Sequence, residues 1–270
     1  MTALSRLKIR YKLPAFLVGF AVLASTILVT VSTVNYQRNA WITVANRFES
    51  IVSDREAVLT ALFKSIRADV EVLAQMPSTA TATQRISAAW GGVSDSPAET
   101  LRQMYISENP NAPDERFKMD RAQKTIPYNI HHATFHPSFR ELLVSKGYSD
   151  AYLVTVAGDV IYTVAKQDDY GSNLLSGALK DSNLASTFQR IMSAPTDEIV
   201  FSDFDRFAPR GNSPKAFVGT QIVASSGQVV GVLILQIPES LVNQIITPSE
   251  GLGESTEVFL VAEDGQARSR

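Results

Sequence analysis

"YLVTVAGDVIYTVAKQDDYGSNL", residues 152–174, holds two short runs of β-branched and aromatic residues around a tight "AGD" turn, then acids, an aromatic and Gly. The pattern predicts a hairpin of strands Ala151–Val156 and Val160–Lys166. On a period-two strand Tyr152, Val154 and Val156 share a face, as do Tyr162 and Val164. Downstream, Glu198–Phe204, Lys215–Val223 and Val229–Ile237 read as three more strands, the last two joined through "SSGQ". Val229–Ile237, "VVGVLILQI", is apolar on both faces and is predicted to be central. A helix over 183–193, capped by Asp181 or Ser182, separates the hairpin from these strands. Five strands with most helices before them predict a small antiparallel α+β module.

Upstream lies a different kind of segment. Leu13 to Val34 carries no charge and at 1.5 Å per residue is long enough to cross ~30 Å of hydrocarbon. A cleavable signal has a shorter apolar region, and here the run continues past the weak site "VLAST". A retained anchor is the expectation. Arg6, Lys8, Arg10 and Lys12 precede it without an acid, which predicts a cytoplasmic N-terminus and everything after Val34 outside the cytoplasm. From Asn35 to Gln75 there is no Pro or Gly, and Trp41, Val44, Phe48, Ile51, Leu59, Phe63, Ile66, Val70 and Leu73 recur at helical spacing. One long amphipathic helix is predicted, ended by Pro77, its stripe packing either on its own domain or in a homodimer seam. "TQRISAAW" and "SPAETLRQMYI" read as short helices, the second with Ser96 as cap and Pro97 at its first position. "SENPNAPDER" is a loop. Tyr128 to Lys146 reads as helix interrupted at Pro137 and closed by Gly147.

Composition narrows the chemistry. The 270 residues are 45% hydrophobic and 19% charged with a net charge of −2, and the basic N-terminal segment leaves a mildly acidic main body. That body lacks the concentrated basic face nucleic acid requires. With no cysteine, disulfides, thiolate catalysis and Cys-based zinc sites are excluded. There is no Walker pattern and no G-x-S-x-G, and "GLGE" lacks the G-x-G-x-x-G frame, so no enzyme and no cofactor are predicted. Asp203 and Asp205 lie two apart, which on a strand gives one face, but adjacent strand acids are more often solvated than catalytic. His132 and His136 can share a helix face. The zincin pattern needs a Glu directly after its first His, and here His131 is followed by His132; Pro137 also disturbs the helix, so surface or capping histidines and no metal are predicted.

"AYLVTVAGD" at 151–159 has a partner in "VFLVAEDGQ" at 258–266, roughly 100 residues on, the size of one small domain. A second copy of the module is expected to start near Leu252 and to be cut short at Arg270. The stretches "NPNAPDERFKMD", "HPSFRELLVSKGYSDAYLVTVAGDVIYTVAKQDDYGSNL", "DSNLASTFQRI" and "GLGESTEVFLVAEDGQARSR" resemble the extracytoplasmic input region of bacterial methyl-accepting chemotaxis proteins of the double-Cache type. The resemblance implies a PAS-like five-stranded sheet, a long membrane-emerging helix, the start of a second such module, and a cytoplasmic signalling part beyond this chain. It implies a chemoreceptor sensing a small molecule, in the bacterial inner membrane with the module in the periplasm. Similar input regions also serve sensor histidine kinases and nucleotide cyclases, and a periplasmic membrane-anchored hydrolase is the remaining reading. The expected organisation is a basic N-terminus over 1–12, the span over 13–34, the long helix and a helical subregion over 35–147, the sensing module over 148–247, and the partial second module over 252–270. This sequence has no Trp after Trp90, so the amino-acid signature of the family is not carried over.

The hairpin and the segments C-terminal to it hold the candidate ligand-binding residues: Tyr152, Tyr162, Lys166, Asp168, Asp169, Tyr170, Asp203 and Phe217. An apolar pocket with a few polar groups at its rim is the usual form of a small-molecule site. The acids and tyrosines suit a cationic amine; Lys166 or Arg140 suits the carboxylate of an organic acid or amino acid. Tyrosines in a core and acids capping turns would give the same pattern.

Overall fold

The structure, a computed structural model, describes residues 9 to 246. The expected second module over 252–270 lies outside the described residues. The first helix, α1 (Ile9–Gln75), is continuous through Pro14 and stops two residues before Pro77. The chain divides between Ala57 and Val58 into two units. In the first, the helix contains a stretch long and apolar enough to cross a membrane, with none of that stretch buried. Phe16 is 75% exposed and Leu28 68%.

The second unit is the α+β module. After the last turns of α1 come α2 (Pro77–Trp90), α3 (Pro97–Arg102) running into a wide turn at Gln103–Ser107, a short turn at Arg116–Lys118, and α4 (Pro127–Lys146). The hairpin comes next as β1 (Asp150–Val154) and β2 (Val160–Thr163), then α5 (Asn183–Ser193), β3 (Val200–Phe201), β4 (Asp205–Phe207), β5 (Ser213–Val223), β6 (Val229–Pro238) and α6 (Glu239–Ile246). The sheet order is β2-β1-β6-β5-β3, with β4 also on β5, and every pairing is antiparallel. β6 lies between β1 and β5, where its two-faced apolar pattern requires it. Gly158, at φ 87° in the hairpin turn, supplies a left-handed position that a side chain would resist.

Several expectations are corrected. The predicted strand Glu198–Phe204 shrinks to β3, and β4, which begins beyond it at Asp205, pairs with the same edge of β5, so five positions carry six strands. The Ser202 hydroxyl accepts the Phe217 N–H at 2.8 Å and Asp203 takes the Phe204 N–H at 2.7 Å, side-chain bonds that break the ladder there. The hairpin's second strand ends at Thr163, short of Lys166, because an Asp150 carboxyl oxygen accepts the N–H groups of Val164 and Ala165, both at 2.9 Å. Finally, α4 passes through Pro137 unbroken. Pro costs a helix one hydrogen bond; the side chains of His132 and His136, which precede it, are both pinned by hydrogen bonds to main-chain carbonyls. Gly147 closes the helix in the left-handed region, φ 75°. Ser96 makes no side-chain cap, "TQRISAAW" is the second half of α2, and α6 was not anticipated.

Each sheet face has its own core. Against one pack α5 and the apolar side chains of Tyr152, Val154, Leu184, Phe188, Phe207 and Phe217. Against the other pack the end of α1, α2 and α4, with Ile66, Val70, Ile86, Leu101 and Phe139, and with the tyrosines 105, 128, 162 and 170. The hairpin is buried on both faces, all nine strand residues of β1 and β2 included.

Candidate functional site

Register places Tyr152 and Tyr162 on opposite faces. Tyr162 stands across from Leu153, one residue beyond Tyr152, so the alternation of the pleat sends the two rings apart.

On the α5 side, Tyr152 meets Phe217 edge-on at 6.2 Å and donates its hydroxyl to Asp169 at 2.8 Å. Asp169 belongs to a buried charge cluster that includes Asp150 and Arg210. Asp150, fully buried, accepts three backbone N–H groups from Ala151, Val164 and Ala165 on one oxygen and the Arg210 guanidinium at 2.6 Å on the other. That many donors is the environment of an ionised carboxylate. Asp169 has only the tyrosine and a distant Arg210 at 4.0 Å, and its other oxygen has no partner. Burial pushes both acids up, Asp150 to about 7, with Arg210 opposing. The geometry assigns the negative charge to Asp150 and any shared proton to Asp169.

On the α4 side lies a polar seam inside an apolar core. Tyr128 donates to the Ile161 carbonyl at 2.6 Å and meets the Tyr170 hydroxyl at 2.6 Å; Tyr105 donates to Asn129 at 2.9 Å. His132 stacks on His136 with ring centres 4.6 Å apart and on Tyr105 at 4.4 Å. His132 Nδ1 reaches the Asp120 carbonyl and His136 Nε2 the Phe117 carbonyl, both at 2.7 Å. Burial holds His136 down to about 3 and His132 well below its ordinary range, with the Lys166 charge adding to both. Lys166 is wholly buried on a left-handed backbone, φ 53°, which a non-glycine residue rarely adopts. Its amine lies 2.9 Å from His136 Nε2 and 3.2 Å from the Val164 carbonyl.

Between the end of α4 and the end of the sheet opens a cleft of about 780 Å³, walled by residues that include Phe117, Tyr148, Gln167, Arg210 and Lys215. Arg210 Nε is buried and has no hydrogen-bond partner. Lys215 makes no ion pair among the described residues, and burial lowers its pKa. The one carboxylate in the wall, Asp114, is exposed.

Of the residues singled out from sequence, Tyr152, Asp169 and Phe217 are brought together on the α5 side, and Tyr162, Lys166 and Tyr170 on the α4 side. Asp168 is surface-exposed, 3.9 Å from Arg102, and Asp203 is exposed on the edge between β3 and β4. None of the eight lines the cleft; Ala165 and Gln167 do, on either side of Lys166. Sequence reasoning passed over Asp150, Arg210, Lys215 and Tyr105, and read the histidines as surface or capping residues, whereas His132 and His136 are wholly buried. An acid opening an otherwise apolar strand was the visible signal for Asp150.

No family model matches the chain and no curated protein matches it. Solved structures do match. The chain is similar to sensory domains of bacterial receptors. The sensory domain of the Campylobacter jejuni chemoreceptor Tlp3 is 13% identical, with 78% of this chain and 73% of that chain covered at a TM-score of 0.39. The ligand-binding domain of the Pseudomonas fluorescens chemoreceptor CtaA, in complex with L-serine, is 16% identical, covering 78% and 73% at a TM-score of 0.36. The sensor domain of the V. cholerae histidine kinase DctB is 12% identical, covering 63% and 58% at a TM-score of 0.36. At those scores the likeness carries no argument about ligand or output, and the ligand class rests on the geometry of the cleft.

Proposed function

We propose that this chain is the membrane-anchored input region of a bacterial receptor. Its α+β unit binds a small carboxylate-bearing solute outside the cytoplasm, and α1 carries the occupancy signal to a cytoplasmic part. The observation that carries the ligand class is the cleft: two cations, Arg210 and Lys215, in a wall whose single acid is exposed to solvent. A guanidinium beside an ammonium is a donor set for a carboxylate. The apolar stretch of α1, uncharged from Leu13 to Val34, supports the anchor, and the basic residues before it support a cytoplasmic N-terminus. Ligand contact alone shifts nothing. The solute must favour one of two arrangements of the helix, in a monomer or across a homodimer seam.

Thermal unfolding of the full chain in nanodiscs with a panel of organic acids, amino acids and amines tests the ligand. Saturable stabilisation by a carboxylate, about 2.7 kcal/mol at a hundredfold excess over Kd, and its loss in Lys215→Met, is the expected result. Stabilisation by amines alone, or by nothing in the panel, overturns the ligand class. Protease added to intact spheroplasts tests the topology: failure to cut beyond Val34 overturns it.

A further inference from the structure

The linker from α4 to β1 is Gly147, Tyr148 and Ser149, and all three wall the cleft. Its ends are fastened through the main chain. The Leu143 carbonyl accepts the N–H groups of Gly147 at 3.0 Å and Tyr148 at 3.2 Å, and the Gln236 carbonyl on β6 accepts that of Ser149 at 2.9 Å. Between them Gly147 turns in the left-handed region, φ 75°, which glycine adopts without strain.

Tyr148 also reaches α1. Its hydroxyl donates to Asp69 Oδ2 at 2.8 Å, and its ring belongs to the same buried cluster as Ile66, Val70 and Leu73 of that helix. Burial and the Asp69 charge push its pKa up, so the hydroxyl keeps its proton and stays a donor across the neutral range. The other Asp69 oxygen takes the Lys146 ammonium at 2.8 Å. The two bonds differ in stiffness. Lys146 is 44% exposed on a flexible stem, and solvent screens its ion pair. Tyr148 is 5% exposed, with a rigid ring between main chain and hydroxyl. A displacement of the linker is absorbed by the lysine and passed on by the tyrosine. Other fastenings of α1 lie away from the cleft: Phe63 meets Phe201 of β3 edge-on at 5.9 Å, and the Arg67 guanidinium lies 5.5 Å from the centre of the same ring. None of those three residues walls the cleft.

We propose that the Tyr148–Asp69 hydrogen bond is the contact through which occupancy of the cleft reaches α1, with Tyr148 as positioning residue and Asp69 as receiver. This rests on reading the cleft as the ligand site. A solute lodged against Arg210 and Lys215 favours one position of the linker over another, Gly147 is the pivot, and the ring carries the difference to Asp69. Coupling of this kind needs a solute with unequal affinity for the two linker positions, and it is reciprocal: a shift at Asp69 alters the cleft in turn.

The chain has no cysteine, so the cleft can be filled at one chosen point without a known solute. Ser213→Cys, in the wall with Arg210 and Lys215, is modified with 2-carboxyethyl methanethiosulfonate in the full chain in nanodiscs, which tethers a carboxylate there. Amide hydrogen exchange of α1 from Leu62 to Leu73 is compared before and after modification, with α5 amides as the level reference. Filling the cleft is expected to change exchange in that stretch by about fivefold or more. Tyr148→Phe, which keeps the ring and removes the hydroxyl, is expected to abolish the change. The ratio before and after modification is the readout, so a general loosening of α1 in the variant, present in both states, cancels. An equal response in Tyr148→Phe overturns the proposal, and so does an α1 that ignores the tethered group while Tyr148 is intact. Should Tyr148→Phe fail to fold, Asp69→Ala at the receiving end carries the same expectation and the same overturning result. The tethered carboxylate needs no affinity of its own. A solute panel without a binder therefore removes the ligand class, while this comparison still decides the contact.

Discussion

The two faces of one sheet are built on different principles. Apart from the Asp150–Asp169–Arg210 cluster at the cleft end, the α5 side is aromatic and aliphatic, with Phe188, Phe207 and Phe217 in one apolar cluster. The α4 side is threaded by Tyr105, Tyr128, His132, Tyr162, Lys166 and Tyr170, all wholly buried. Apolar packing tolerates volume-conserving change, whereas a buried polar chain is costly wherever one link is missing. The contrast confines polar groups on the α5 side to one cluster beside the cleft and spreads them through the α4 side. Asp150 ties the two together, since it sits on β1, stitches the end of β2, and holds Arg210 at the cleft.

The largest effect is therefore expected at Asp150. Asp150→Ala removes the acceptor of three backbone N–H groups and strands the Arg210 charge, largely buried at 14% side-chain exposure. A loss of about 3–5 kcal/mol is expected for breaking such a pair, measured by denaturant unfolding. A loss under about 1 kcal/mol would mean that water takes over the carboxylate's role, removing Asp150 as the link between the faces.

On the α4 side, Tyr128→Phe deletes a hydroxyl and leaves the Ile161 carbonyl and Tyr170 hydroxyl short of a partner. A cost of about 1–3 kcal/mol is expected. On the α5 side, Ile191→Val, a buried methyl lost from an apolar cluster, is expected to cost about 0.5–1.5 kcal/mol. If the valine proved as costly as the phenylalanine, the contrast between a polar and an apolar face would lose its energetic basis.

How much of this the sequence carried depends on the range of the interaction. β6 at the sheet centre, Ser182 as the N-cap of α5 bonding Ala185, and Pro77 ending α1 are local or periodic signals, and each stands where the pattern put it. The hairpin was legible, but which face each tyrosine takes depends on register, and a one-residue offset reverses it. The polar seam was not legible, because it joins residues as far apart as Tyr105 and Tyr170 through packing. Lys166 and Asp169 stood out in sequence as a charged run after a strand. Nothing local marks them as buried while their neighbour Asp168 is not.

That neighbour gives the smallest expected effect and the cleanest control. Asp168 and Lys166 were equally plausible ligand contacts in the linear sequence. The structure leaves Asp168 with 71% of its side chain exposed and an ion pair at 3.9 Å to Arg102, itself 38% exposed. Solvent screens such a pair to about 0–1 kcal/mol. Arg102 also keeps its hydrogen bonds to the Asp168 and Tyr170 main-chain carbonyls without the carboxylate, so the local backbone need not move. Asp168→Asn should therefore leave stability within about 0.5 kcal/mol, and leave solute-induced stabilisation unchanged. A marked loss of solute response in Asp168→Asn would shift the binding site from the cleft to the outer loop and end the assignment of function by face.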